Sequence, residues 1–117
     1  VVLSRDSDTF EALYACDLLA TGFSTVITEA IILGKAVVTM HLSKSEDPTP
    51  YYKEVTVRVY REEDLVPAIK KALYDEETMK KLEKVGKKFV FKHTYKQDGK
   101  ATERVVNLIE EMIKRKQ

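Results

Sequence analysis

The stretch Asp17-Leu-Leu-Ala-Thr21-Gly22-Phe23-Ser24-Thr25-Val-Ile-Thr28-Glu29-Ala30-Ile-Ile-Leu-Gly34-Lys35-Ala36-Val-Val-Thr-Met40 decides how this chain folds. It reads as a strand over 17–21, a tight turn of small hydroxyl residues, a short apolar helix, a glycine stop and a second strand over 36–40. Thr25-Val26-Ile27-Thr28 is β-branched throughout and taken alone favours a strand. Three features override that preference. Glu29-Ala30 follows it, Gly34 stands at a helix C′ position, and a strand here would leave its two neighbours without the crossover that parallel pairing requires. The segment is therefore read as β-turn-α-β.

The turn carries the chemistry. Gly22 is expected to allow a backbone that a Cβ would strain. Ser24 or Thr25 stands at the helix N-cap, with free N–H groups just behind it. A strand-turn-helix of this kind presents donors and the positive end of a helix dipole, which suits a phosphate. Glu29 follows Ser24 by roughly 7.5 Å of helix, a spacing that lets a carboxylate receive sugar hydroxyls while the turn holds phosphates. Glu29 is also the one acid between Asp17 and Glu46 and is flanked by apolar residues, so it is expected beside a covered surface and in need of partners. The plain alternative is a turn glycine, a capping hydroxyl and a solvated glutamate.

Outward from this unit, Val1 to Ser4 suits a short buried strand, and Ser7 or Asp8 caps a helix over 9–15 with Phe10, Leu13 and Tyr14 facing inward. The strand at 17–21 is apolar enough to be covered on both faces. Residues 41–54 form the longest irregular piece, at the carboxyl end of a strand, where ligand contacts and lids occur. His41 opens that loop as a candidate contact, although a satisfied loop histidine is the commoner case. Val55 to Tyr60 alternates as a half-exposed edge strand, with Thr56, Arg58 and Tyr60 on the outer face. Three helices follow. The first starts at Glu62-Glu63-Asp64 with Pro67 in its first turn and Leu65, Ile69, Ala72 and Leu73 inward. The second runs from about 76 to 92 with Met79, Leu82, Val85 and Phe89 inward. The third, after Asp98-Gly99, carries a stripe of Ala101, Val105, Leu108, Ile109 and Met112. The fold class is α/β: a Rossmann-like, doubly wound open parallel sheet with a helical carboxyl-terminal tail.

The 117 residues suit a single domain, and a net charge of +1 creates no overall field that calls for nucleic acid. The sign is uneven, however: residues 1–69 are net acidic and residues 70–117 net basic. The lone Cys16 excludes an internal disulfide and a cysteine metal cluster, and fits a reducing cytoplasm. No apolar run approaches the ~20 residues of a membrane span. No metal or cofactor site is expected, and Ser24 has no evident histidine partner, so no catalytic residue is assigned. The run Lys84, Lys87, Lys88, Lys92, Lys96 and Lys100 is most simply a solvated face. Interleaved with Phe89, Phe91 and Tyr95, it is also the feature through which a non-catalytic module would contact a polyanion. The chain opens on a strand without an initiator methionine, which leads us to expect one domain of a longer, two-domain protein.

The residues from Ala15 to Val37 resemble the donor-binding half of GT-B-fold glycosyltransferases and of the related UDP-N-acetylglucosamine 2-epimerases. The shared pattern is an Asp-led strand, a small-residue turn with Ser, a Glu-Ala pair and a Gly-Lys before the next strand. Ser45-Glu46-Asp47-Pro48, Glu62-Glu63-Asp64-Leu65 and Asp98-Gly99-Lys100-Ala101 agree in order. The Gly22-Phe23-Ser24-Thr25 turn looks more like that of surface-polysaccharide transferases than the Ser-Gly-Gly of the epimerases, and Ala36 replaces the usual Pro. The resemblance implies half of a GT-B fold that binds a nucleotide-diphosphate sugar, UDP-linked, through Gly22, Phe23, Ser24, Thr25, Glu29 and His41. Ser24 and Thr25 would meet the diphosphate, and Glu29 the ribose hydroxyls. It further implies surface polysaccharide or glycan synthesis, an amino-terminal domain of the same polypeptide as partner, and a cytoplasmic site that can be peripheral to the membrane. The matching half of a 2-epimerase is the alternative.

Overall fold

The protein is described here by a computed structural model covering residues 5–117, so the strand expected at residues 1–4 lies outside the described residues. The first helix, α1, spans Thr9–Ala15 and is capped by Asp8, whose carboxylate accepts from the amides of Phe10 and Glu11. Only Leu13 of its expected inner face is buried; Phe10 and Tyr14 are 50% and 70% exposed, because no described element covers that side.

Strand β1 (Leu18–Thr21), helix α2 (Val26–Ile32) and strand β2 (Ala36–Met40) form the unit read from the sequence. A third strand, β3 (Val57–Val59), completes a parallel sheet in the order β1-β2-β3. Leu18 pairs with Ala36, and Val38 with Val57. Gly34 has φ 71° and ends α2 with its amide on the Ile31 carbonyl, while the Lys35 amide reaches Ala30. That left-handed C′ residue turns the chain back into β2. The β-branched start of α2 is overridden by burial: Ile27, Ala30 and Ile31 are packed in the core.

The sheet divides the core. Successive β2 side chains point to opposite faces, so Val37 joins Leu13, Ile27, Ala30, Ile31, Tyr52, Val55 and Phe89 on one side. Val38 joins Val59, Ala68 and Ala72 on the other. Helix α3 (Leu65–Tyr74) covers the second face, with Pro67 in its first turn as expected. Helix α4 (Glu76–Thr94), capped by Asp75 onto the Thr78 amide, packs beside α2 through Phe89 and a buried Gly86. Met79, expected inward, is exposed.

Two expectations for the strands fail. Strand β1 is not covered on both faces among the described residues, since Ala20 is exposed. Thr56 and Arg58, assigned to an open outer face, are covered instead, because the loop between β2 and β3 folds back over that face. After α4 the chain turns at Tyr95, whose φ is 61°, and enters α5 (Ala101–Lys116). Arg104 fixes this corner by pairing with Asp98 at 2.9 Å and lying over the Tyr95 ring. Helix α5 buries no residue, and its stripe of Val105, Leu108, Ile109 and Met112 stays about half exposed.

Candidate functional site

The carboxyl ends of β1 and β2 lie side by side, and the turn of residues 22–25 leaves the first while the loop beginning at His41 leaves the second. Contrary to expectation, Gly22 does not occupy the left-handed region; the positive-φ glycines among the described residues are Gly34 and Gly99. A Cβ at Gly22 would stand 3.7 Å from the Met40 carbonyl oxygen, an ordinary contact. Gly22 therefore marks where the turn passes close to the end of β2 and is not a conformational necessity.

Ser24 organises the turn. Its Oγ accepts from the Val26 amide at 3.2 Å, and its carbonyl accepts from Ile27. Thr25 is the N-cap residue, yet its side chain makes no capping bond. The amides of Phe23, Ser24 and Thr25 have no hydrogen-bond partner among the described residues. Three such donors with an exposed Thr25 hydroxyl can serve an anion without disturbing the helix. Helix α2 is only two turns long, so these groups matter more than its dipole. Phe23 projects from the turn, 69% exposed.

Glu29 lies one turn further along α2, on the same side as Thr25. It is half-buried between the packed residues Ile27, Ala30 and Ile31. Its carboxylate has no hydrogen bond or ion pair among the described residues. A partly desolvated carboxylate that lacks donors is costly and receptive to hydroxyls.

His41 is half-buried. Its amide donates to Val59, and its Nε2 donates to the Ser45 carbonyl at 2.9 Å. The ring stands edge-on to Tyr60 at 6.5 Å. The structure thus places the Gly22–Thr25 turn and His41 at the same end of the sheet, with Glu29 further along α2.

Sequence reasoning missed what holds the loop from 41 to 54. Asp47 Oδ1 accepts from the amide and hydroxyl of Thr49, and Asp47 Oδ2 pairs with the Arg58 guanidinium at 2.9 Å. Although partial burial works to raise it, the Thr49 hydrogen bonds and the Arg58 and His41 charges hold the Asp47 carboxyl below its ordinary value. At the loop's far end Tyr52 is buried against Phe89, and its hydroxyl bonds Thr28 Oγ1 at 2.8 Å, one residue before Glu29. The Asp47-Pro-Thr49 sequence, a ready Asx turn, was the available signal.

A wide open groove lies elsewhere. It encloses about 1300 Å³ near the starts of β1 and β2, lined by Asp17, Lys35, Leu73, Met79 and Phe91 among others, and none of the candidate residues borders it. Among the described residues no cluster of histidine, cysteine or acidic side chains could hold a metal, and no helix is long and apolar enough to cross a membrane.

A family model described as CDP-glycerol:poly(glycerophosphate) glycerophosphotransferase matches residues 1–111. Comparison with curated proteins and with solved structures finds no match.

Proposed function

The chain belongs to the CDP-glycerol:poly(glycerophosphate) glycerophosphotransferase family, which is glycosyltransferase-like, and from that premise we propose that it is the donor-binding half of a two-domain transferase. The donor is a nucleoside diphosphate that carries an activated alcohol or sugar. Ser24 and Thr25, with the free amides of their turn, take the diphosphate. Glu29 takes the ribose hydroxyls, and Phe23 and His41 border the bound nucleotide. The acceptor and any general base come from an amino-terminal domain of the same polypeptide. The observation that carries this reading is the half-buried Glu29 carboxylate, without a partner among the described residues, one turn behind a turn whose amides are likewise unpaired among them.

The family description names CDP-glycerol as donor, which sets cytidine beside the uridine expected from sequence resemblance. The two donors differ in chemistry. With a CDP-linked alcohol, an acceptor hydroxyl attacks phosphorus and CMP leaves; with a nucleotide sugar, it attacks the anomeric carbon and the nucleoside diphosphate leaves. The grip on ribose and phosphate serves both, and it would serve a 2-epimerase as well, but the family description favours transfer.

The test is NMR titration of the chain with CDP and with UDP. Shifts are expected across residues 22–29 and at His41. Glu29→Ala and Ser24→Ala should each weaken binding roughly tenfold, the loss of about one hydrogen bond to a charged group. Nucleotide-induced shifts that bypass residues 22–29 would overturn the proposal. Tighter binding of CDP than of UDP favours the phosphorus chemistry.

A further inference from the structure

Arg58 is the residue that the fold treats least like its sequence suggests. It lies on β3, where strict alternation would leave it in solvent, yet its side chain is only 7% exposed. Its guanidinium reaches into the preceding loop at three points. Nη1 pairs with Asp47 Oδ2 at 2.9 Å and donates to Thr49 Oγ1 at 3.3 Å, and Nη2 donates to the Thr49 carbonyl. Nε is buried without an acceptor among the described residues. An orphaned buried donor costs on the order of 1–3 kcal/mol, and a well-packed apolar side chain in place of a buried ion pair is often no less stable. Stability is therefore a poor reason for an arginine here. What the planar fork supplies is geometry, because only one arrangement of residues 47–49 meets its donors.

The rest of the loop is fastened at both ends. His41 Nε2 holds the Ser45 carbonyl beside the end of β2, and Tyr52 holds Thr28 next to Glu29. Thr56 Oγ1 ties the Tyr52 carbonyl from below at 2.9 Å. Arg58 closes the span between these anchors. We propose that Arg58 is a positioning residue of the nucleotide site, holding the loop from 41 to 54 through Asp47 and Thr49 as a fixed wall beside the Glu29 helix. The loop is then a preset surface and not a lid that closes on ligand. The inference rests on the donor-site reading above and adds the residue that sets its geometry.

The experiment uses the full chain with Arg58→Met, Arg58→Lys and Asp47→Asn, read by amide hydrogen exchange and by CDP and UDP affinity. In Arg58→Met and Asp47→Asn the Thr49 amide should exchange about tenfold faster or more, as a locally opened segment does. Nucleotide affinity should fall roughly tenfold, as expected when a binding wall loses its supporting shell. Arg58→Lys should recover neither property, since an ammonium lacks the fork. The double variant should bind no worse than Arg58→Met alone, because the pair acts as a unit. Faster exchange with unchanged affinity overturns the positioning role, and unchanged exchange overturns the clamp itself. If Arg58→Met does not fold, Asp47→Asn, which keeps its Oδ1 acceptor, decides by the same two readouts. A wild-type chain that binds neither nucleotide overturns the donor reading and this inference with it. A wild type that binds, beside variants that bind equally well, overturns this inference alone.

Discussion

Gly22 and Gly34 bracket the same helix, and their substitutions should separate cleanly. Gly34 holds φ 71°, so Gly34→Ala forces a Cβ into the left-handed region at a cost of about 1 kcal/mol. Gly22 has an ordinary backbone and room for a methyl 3.7 Å from the Met40 oxygen, so Gly22→Ala should change stability by about 0.5 kcal/mol or less. Urea unfolding of both variants checks the contrast; a large loss at Gly22 would mean that the turn is strained after all. Both glycines are plain in the sequence, but which of them is obligatory is not, since that depends on a dihedral angle set by the chain around it. Glu29 shows the same division. Its isolation among apolar residues was legible, whereas its lack of a partner among the described residues needed coordinates. Arg58 was misread because a period-two pattern says which face a residue takes and nothing about what lies on that face.

Helices and strands bring the energetics into view. Ile27 is fully buried in the α2 face that meets β2 and α4, so Ile27→Ala should cost about 3 kcal/mol, from lost transfer energy and the cavity left behind. A denaturant midpoint that hardly moves would show that α2 is not packed as described. At the start of α4, the Asp75 carboxylate accepts from the hydroxyl and amide of Thr78, and these bonds hold its pKa below that of an ordinary aspartate. A depressed carboxyl contributes its stability above the unfolded pKa and loses it as pH falls through the lower folded value. The chain should therefore weaken as pH drops below about 3.9, the ordinary aspartate value. Asp75→Asn should flatten that acid limb in pH-dependent unfolding. An unchanged acid limb would exclude Asp75 as a contributor. Element existence was largely readable, from Asp8 capping α1 to Gly34 ending α2, because caps and stops are local chemistry. Inner faces were less so. Phe10, Tyr14 and Met79 carry the right spacing yet remain exposed, since a periodic stripe is buried only where another element covers it.

The whole molecule measures 62 × 32 × 30 Å, with a two-sided core around three strands and a terminal helix that contributes nothing to it. A chain ending after residue 99 should accordingly melt within a few degrees of the full chain, because no buried side chain is removed. A large drop in Tm would show that α5 supports the core by a route other than burial. At this scale the division of labour is clear. The sequence by itself determined the parallel β-turn-α-β unit, the helix stops and the turn of hydroxyls followed by a lone acid, since each rests on residues near one another in the chain. Only the tertiary structure decided that the loop after β2 is pinned, that Arg58 is covered and that a wide groove lies away from the candidate residues. Those facts depend on contacts between segments distant in sequence. Asp47 meets Arg58 and Tyr52 meets Thr28 only after the sheet has brought them together, and no local pattern encodes such a meeting.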